Sequence, residues 1–330
     1  MNVVINLLLI GVGFVLLIKG ADFLVNGASS LAKRFNVSDI AIGLTIVAMG
    51  TSAPELVVNI ISGSVSHDVV FGNIIGSNVF NIFLILGVSA VIYPLTVQKN
   101  ALWKEIPYSL LATIVFFILV NDTIFFNAES NSLSVSDAVI LLVMFVLFLV
   151  YIFMNLTRNP DEAESLEDIV IYGSMKTTIM IVLGIAGLIF GGKMIVDNAV
   201  EVAELFGVSG KLIGLTILAA GTSLPELATS AVAAYQKKSD LAIGNIVGSN
   251  IFNLLLVLGV TGLIHSPLQY TAVLNIDMFT VMAGTFLLFV FMFTFNKHKV
   301  DRSEGVIYLI GFCVYMLFLF DRELGYGIFY

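Results

Sequence analysis

The sequence predicts an all-α membrane protein in which ten transmembrane helices form two inverted-topology five-helix repeats, with broken helices at the membrane midplane. Three observations lead to this fold class: the composition, the number of apolar segments and an internal duplication. Of the 330 residues, 58% are hydrophobic and 12% are charged, whereas soluble domains are about half apolar and about a quarter charged. The charged residues cluster into short segments. The apolar runs between them reach the roughly 20 residues that a helix needs to cross a bilayer.

Charged and turn-forming residues divide the chain into ten candidate spans. The first and sixth spans are longer than a perpendicular helix requires, so we expect them to be tilted. The predicted spans are 3–31, 40–65, 69–93, 105–121, 135–155, 175–205, 211–234, 240–264, 271–294 and 304–321.

Two sequence motifs occur twice. The segment "VSDIAIGLTIVAMGTSAPEL" (Val37–Leu56) recurs as "VSGKLIGLTILAAGTSLPEL" (Val208–Leu227), 171 positions later. The segment "FGNIIGSNVFNIFLILGVSA" (Phe71–Ala90) recurs as "IGNIVGSNIFNLLLVLGVTG" (Ile243–Gly262), 172 positions later. Matched motifs in the same order indicate that the chain is a duplication.

The duplication predicts three parts. Because each half holds five spans, an odd number, the second half starts from the opposite membrane face and the repeats are inverted. With the N-terminus outside, eleven Lys and Arg residues fall in cytoplasmic loops and two outside, as the positive-inside rule requires. We therefore expect a multi-pass protein of the cell membrane with both termini extracellular. The parts are 1–155 (motif segments 43–59 and 72–90), an acidic cytoplasmic linker at 156–174, and 175–330 (motif segments 214–230 and 244–262).

The first motif places a proline inside an apolar span in each repeat. Pro54 and Pro225 lack an N–H, and each clashes with the carbonyl four residues earlier, so the helix breaks or kinks there. Within a membrane such a break persists only where the backbone is buried in protein or lines a cavity. We expect freed carbonyls and hydroxyls near Ala48, Thr51, Ser52, Ala219, Thr222 and Ser223.

A glutamate follows each proline. An ionised carboxylate at mid-membrane costs at least ~2.5 kcal/mol, and neither motif contains a basic residue to neutralise Glu55 or Glu226. Inversion would bring the two acids together among hydroxyl and carbonyl oxygens, which is a site for a hard cation such as Ca²⁺ or Na⁺. The alternative interpretation is a pair of helix caps, with Pro and Glu in the first turn. Both interpretations can hold at once.

The second motif adds hydroxyls and amides. Asn81 follows Ser77 by four positions, and Asn253 follows Ser249 by four positions. This spacing places each pair on one helical face. We expect these pairs to face the two glutamates. The other amides of this motif either bind the cation or only tie helices together, and the sequence leaves the two roles open. They are Asn73, Asn78, Asn245 and Asn250.

Charge arithmetic suggests a mechanism for such a site. Two carboxylates balance one Ca²⁺ or two Na⁺, but not both loads together, and mutually exclusive occupancy is the basis of antiport. A third Na⁺ held by neutral oxygens would make the exchange electrogenic. The expected substrates are Ca²⁺ and Na⁺. We expect no cofactor, no nucleic acid and no obligatory protein partner, only the surrounding lipid bilayer.

The segments "GTSAPE" and "GTSLPE", followed by "GNIIGSNVFN" and "GNIVGSNIFN", resemble the paired repeats of the cation/Ca²⁺ exchanger superfamily, in particular its prokaryotic sodium/calcium exchangers. The resemblance covers both halves. It implies Ca²⁺ ligation by Glu55 and Glu226 with help from the carbonyls of Thr51 and Thr222. It also implies that the first and sixth helices slide to switch access. The implied Na⁺ positions are Ala48, Ser52, Ser77, Ala219, Ser223 and Ser249.

One position departs from some members of that superfamily, because Asn253 stands where they carry Asp. This weakens a potassium-dependent function and leaves H⁺/Ca²⁺ exchange open as the alternative to Na⁺/Ca²⁺ exchange. A cation channel is a further, less favoured alternative. An enzyme is not expected, because both acids follow proline and no catalytic His accompanies them. The sequence also lacks a nucleotide-binding loop, which argues against an ATP-driven pump.

Overall fold

The computed structural model describes residues 3–64, 66–98, 101–155, 170–206, 219–294 and 298–324. Its helices, numbered in chain order, are α1 (Val3–Phe35), α2 (Asp39–Thr51), α3 (Ala53–Ser62), α4 (His67–Ile92), α5 (Trp103–Val120), α6 (Asp122–Phe125), α7 (Val135–Met154), α8 (Ser174–Leu205), α9 (Ala219–Gly221), α10 (Leu224–Tyr235), α11 (Ser239–His265), α12 (Ala272–Phe291) and α13 (Arg302–Leu324). Its strands are β1 (Leu95–Thr96), β2 (Ser132–Leu133), β3 (Leu268–Gln269) and β4 (Lys299–Val300).

The chain is a multi-pass helical membrane protein. Within the described residues, eight helices are long and apolar enough to cross a bilayer, and the count is nine if α2 and α3, which meet at a bend of 43°, form one span. The seventh predicted span, 211–234, lies partly in 207–218, outside the described residues, so the count of ten stays a prediction. The acidic linker, 156–174, is described only from residue 170 onward.

The all-α expectation missed two small sheets. Strand β1 pairs with β4 and strand β2 with β3, both antiparallel. Each strand has two residues, too few to produce an alternating pattern in the sequence. Each sheet joins a strand from the first half of the chain to one from the second half, so the two halves are bonded to each other outside the helical core.

Helices α4 and α11 form the centre of the molecule. In their most apolar stretches 72% and 83% of the residues are buried, compared with 22–39% in the other single-helix spans. Helix α2 packs closely against α11, where a Cβ on Gly43 would lie 2.9 Å from the Leu241 carbonyl oxygen and one on Gly248 would lie 2.9 Å from Leu44 Cα. This packing holds the repeated motifs together in the interior.

The long helices α1 and α8 pack on each other along a glycine seam. A Cβ added to Gly20 would lie 2.7 Å from the Leu188 nitrogen, and one added to Gly184 would lie 2.7 Å from the Leu24 nitrogen. Small residues let two backbones approach this closely inside a membrane. Both seam glycines therefore contact the backbone of the other helix, where no flexible side chain can move aside.

The C-terminal half of α1 is tied to the segment that follows α10. Gln236 donates to Asp22 Oδ1 at 2.7 Å, and Lys238 Nζ donates to Asn26 Oδ1 at 3.1 Å. Burial lowers the pKa of Lys238 to about 8, although Asp39 and Asp22 favour its charged form. The hydrogen bonds of Gln236 and Lys238 with α1 therefore lie where water has only partial access.

Gly20→Ala should destabilise the folded protein, because the new methyl group would overlap the α8 backbone. Overpacking of this kind costs about 1–3 kcal/mol. Gly11→Ala on the same helix is the matched control, since nothing lies within 4 Å of a Cβ there. Thermal unfolding in detergent measures the difference, and equal midpoints for the two variants would contradict the close seam.

The Lys238 amine should make stability depend on pH. Between about pH 8 and about pH 10.5 the folded chain has released this proton and the unfolded chain still holds it. The contribution of Lys238 to stability therefore rises with pH across that window. The thermal unfolding midpoint should be measured for the wild type and for Lys238→Met. The difference, wild type minus variant, should increase from pH 7.5 to pH 10. A constant difference would show that this amine keeps its ordinary pKa.

Candidate cation site

The two proline motifs interrupt their helices as expected. Ser52 (φ −84°, ψ 5°) separates α2 from α3, and Ser223 (φ −89°, ψ 3°) precedes α10. Glu55 and Glu226 therefore lie in the first turn of α3 and α10, where the helix dipole favours a negative charge. The helix-cap interpretation and the ligand interpretation are both compatible with this geometry.

The expectation of a freed carbonyl is wrong for Ala48. Its oxygen accepts the Ser52 N–H at 2.9 Å and the Thr51 hydroxyl at 3.3 Å. The Thr51 hydroxyl has a single proton, which it shares between this carbonyl and Asn245 Oδ1 at 3.2 Å. Any cation at the Ala48 carbonyl would have to compete with these two donors. Ala219 begins α9, and its side chain lies outside the described residues.

The two glutamates both lie in the interior. Glu55 is 0% and Glu226 is 1% exposed, and the charge of Glu226 acts on Glu55. The Ser52 hydroxyl donates to Glu226 Oε1 at 3.1 Å, across the two halves of the chain. Both carboxylate oxygens of Glu55 and the second oxygen of Glu226 have no hydrogen-bond partner among the described residues.

The uncompensated charge defines what this site can bind. Within the described part of the chain neither Glu55 nor Glu226 forms an ion pair with a Lys or Arg. Removing an ion from water costs several kcal/mol even after relaxation, and two like charges together cost more. The pair therefore requires cations or protons whenever it is buried. Oxygen donors without His or Cys favour a hard cation.

Hydroxyl groups from both repeats surround the acids. The Thr51 hydroxyl donates to Asn245 Oδ1 at 3.2 Å, and the Thr222 hydroxyl donates to Asn73 Oδ1 at 3.3 Å, so the contact recurs with the repeats exchanged. Both copies of the motif therefore make the same contact with the opposite half of the chain. The remaining predicted hydroxyls also meet here, since Ser223 donates to Ser77 at 3.1 Å and Thr51 lies 3.5 Å from the Ser249 hydroxyl.

Two buried amide oxygens are also unpartnered acceptors. Asn81 and Asn253 are buried, and the Oδ1 of each has no partner in the described residues. Each lies in a π-helical turn, Phe80–Ile85 or Phe252–Val257, a distortion that often marks functional sites. The structure thus joins predicted hydroxyls and amides of one half of the chain to those of the other half.

Sequence reasoning missed the residues that support the threonine–asparagine contacts. The Asn73 amide donates to Asn59 Oδ1 at 2.8 Å, and the Asn245 amide donates to the Ser230 hydroxyl at 2.9 Å. Asn59 and Ser230 stand 171 positions apart, the offset of the first motif. A polar residue at the same place in both copies of an apolar segment was the signal available.

Comparison with known proteins gives a consistent result over nearly the whole chain. The family model described as "Sodium/calcium exchanger protein" matches residues 5–154 and 176–320. The putative antiporter CaxA of Alkalimonas amylolytica is 39% identical over 94% of this chain and 97% of its own length. The sodium/calcium exchanger MaX1 of Methanosarcina acetivorans is 31% identical over 96% of this chain and 99% of its own length.

The fold also matches solved structures. A structure of the sodium-calcium exchanger NCX_Mj is 30% identical, with a TM-score of 0.81, and the match covers 96% of this chain and 100% of that chain. The similarity therefore extends to the full helical arrangement and is not confined to the two motifs.

Glu55→Gln and Glu226→Gln should each lower Ca²⁺ affinity at least about 100-fold, which corresponds to about 2.7 kcal/mol. Each substitution removes half of the buried negative charge without changing the shape of the side chain. Equilibrium ⁴⁵Ca²⁺ binding to the purified protein measures the loss. Glu129→Gln, in an exposed loop, is the control for loss of a carboxylate elsewhere. Wild-type binding by either site variant would rule out the assignment.

Proposed function

We propose that this chain, which belongs to the sodium/calcium exchanger family, is a secondary transporter that exchanges Na⁺ for Ca²⁺ by alternating access. Its relatives and its fold make it a cation/Ca²⁺ antiporter of the membrane. The coupling to Na⁺ and the roles of individual residues are the proposal. The observation that supports them most strongly is the buried pair Glu55 and Glu226, which has neutral oxygen donors around it and no basic partner among the described residues.

The Ca²⁺ ion would be held mainly by the glutamates. Their three unpartnered carboxylate oxygens and the free amide oxygens of Asn81 and Asn253 make five acceptors, and Ca²⁺ takes 6–8 oxygen ligands. Backbone carbonyls at Thr51 and Thr222 would complete the shell. The proposed Na⁺ ligands are the smaller neutral groups of the same region, namely Ser52, Ser77, Ala219, Ser223 and Ser249. The Ala48 carbonyl would join them only by giving up one of its two donors.

Shared ligands would couple the two fluxes. One Ca²⁺ or two Na⁺ neutralise the two carboxylates, and together they would leave two positive charges in a buried site. The two loads therefore exclude each other, and an unloaded site is too costly to reorient through a dry interior. A third Na⁺ on neutral oxygens would move one net charge per cycle and make the exchange electrogenic.

The two halves would be inverted repeats of five spans each, 1–155 and 175–330, joined by the cytoplasmic linker 156–174, with both termini extracellular. The reciprocal contacts of Thr51 and Thr222 support a two-fold relation between the halves. The two sheets support it as well, because each pairs a strand of one half with a strand of the other.

Helices α1 and α8 would be the pair that moves during alternating access. They pack on each other along the glycine seam, and their ends are linked by Asn6 to Glu201 at 3.1 Å and by Ser30 to Thr177 at 3.2 Å. The pair is thus suited to move as one body. Such a motion would have to break the contact of Asp22 with Gln236.

H⁺/Ca²⁺ exchange on the same fold remains the second candidate. Two protons would neutralise Glu55 and Glu226 as well as two Na⁺ do, and the unpartnered carboxylate oxygens are available to them. The buried hydroxyls around the acids favour Na⁺, because a proton bound to a carboxylate needs no such shell.

Ca²⁺ uptake into proteoliposomes should follow an outward Na⁺ gradient at equal pH on both sides. An inside-positive potential, clamped with K⁺ and valinomycin, should accelerate uptake because three Na⁺ leave for each Ca²⁺ that enters. Vesicles loaded with choline in place of Na⁺ are the control, and vesicles carrying Glu55→Gln report leakage. Uptake that responds only to a pH gradient would show that the coupling ion is H⁺ and not Na⁺. Uptake without any counter-ion would indicate a channel.

A further inference from the structure

Four buried asparagines form a reciprocal pair of contacts between α4 and α11. The Asn81 amide nitrogen donates to Asn250 Oδ1 at 2.9 Å, and the Asn253 amide nitrogen donates to Asn78 Oδ1 at 3.1 Å. Within each repeat the two residues are three positions apart, and each contact crosses to the other repeat. All four side chains are at most 1% exposed.

We propose that Asn78 and Asn250 are positioning residues, which hold the amides of Asn253 and Asn81 so that their carbonyl oxygens turn toward the transported cation. The proposal rests on the proposed function, because it assigns a role in cation binding to residues that need not touch the cation.

The chemistry of the amide group makes this role specific. A side-chain amide carries two donors on nitrogen and an acceptor on oxygen, and rotation by 180° exchanges the two ends. With its nitrogen tied to Asn250, the Asn81 amide directs its oxygen away from that contact. In the rotated state an N–H₂ group, with a partial positive charge, would replace the oxygen facing a cation. The orientation therefore decides whether Asn81 attracts or repels the ion.

The unpartnered oxygens support a cation as the missing partner. The Oδ1 atoms of Asn81 and Asn253 have no hydrogen-bond partner among the described residues, although both lie in the interior. Leaving a buried acceptor unsatisfied costs about 1–3 kcal/mol. The same arrangement occurs in both repeats. In each repeat the amide oxygen without a partner belongs to the asparagine four positions after the serine, Ser77 or Ser249.

The two positioning residues are not held equally. Asn78 also donates to the Asn250 backbone oxygen at 3.3 Å, so its amide is anchored at both ends. The Asn250 amide nitrogen has no partner among the described residues. The Asn253 oxygen should therefore be the more firmly oriented of the two, and loss of Asn78 should have the larger effect on Ca²⁺ affinity.

A role limited to tying α4 to α11 makes a different prediction. A simple tie would contribute to stability, and its loss would combine additively with changes at any cation ligand. A positioning residue acts only through the amide that it orients. Its loss should have no further effect on cation affinity once that amide has been removed.

The test is a set of double-mutant cycles read by equilibrium ⁴⁵Ca²⁺ binding to the purified full chain. Asn250→Leu should lower Ca²⁺ affinity about tenfold in the wild-type background. It should cause the same loss, about tenfold, in a protein that already carries Asn253→Ala. Combined with Asn81→Ala it should cause less than about a twofold further loss. Asn78→Leu should give the reverse pattern, non-additive with Asn253→Ala and additive with Asn81→Ala.

Thermal unfolding without Ca²⁺, measured on the same variants, separates stability from affinity. If a leucine variant does not fold, alanine at the same position repeats the cycle with less steric change. Equal losses of affinity in both backgrounds, or a loss of stability with unchanged affinity, would overturn the proposal.

Failure of the proposed exchange function and failure of the positioning role of Asn78 and Asn250 give different experimental results. A wild type that binds Ca²⁺ but shows no Na⁺-driven exchange would refute the exchange mechanism while the cycles still report on amide orientation. A wild type that binds no Ca²⁺ at all would overturn both.

Discussion

The structure depends on the burial of two carboxylates within electrostatic range of each other and without a basic partner among the described residues. Glu55 and Glu226 are inside the protein, where charge is poorly solvated and like charges repel strongly. Protein folds tolerate such a pair only when something neutralises it. In a transporter the neutralising species can be the cargo. The energetic penalty of the unloaded site then becomes the link between binding and movement.

Helix breaks make this burial possible. At Ser52 and Ser223 the chain leaves and re-enters the helical conformation, so each glutamate starts a new helix near its positive end. The dipole lowers the cost of the charge at each of these positions. The break at Ser52 is less open than a proline alone suggests, because the Thr51 hydroxyl and the Ser52 N–H both bond to the Ala48 carbonyl.

Several polar contacts in the core join one half of the chain to the other. The Thr51–Asn245 and Thr222–Asn73 contacts exchange roles between the halves, and so do the contacts of Asn81 with Asn250 and Asn253 with Asn78. The symmetry is incomplete at the acids, since Ser52 bonds to Glu226 whereas Ser223 bonds to Ser77. The two acids are therefore in different surroundings, although the motifs that carry them are nearly identical.

The sequence alone determined that this is a helical membrane protein, that it is a duplication and that Glu55 and Glu226 are its most informative residues. These properties depend on composition, on the lengths of apolar runs and on repeated letters, all of which are local. The sequence could not show which hydroxyl reaches which acid, because Ser52 and Glu226 are 174 positions apart and their contact depends on helix packing. Nor could it decide the role of Asn78 and Asn250. The residue type is asparagine in either orientation of the amide. Only the neighbours of the side chain in the folded protein determine which end of the amide faces the site.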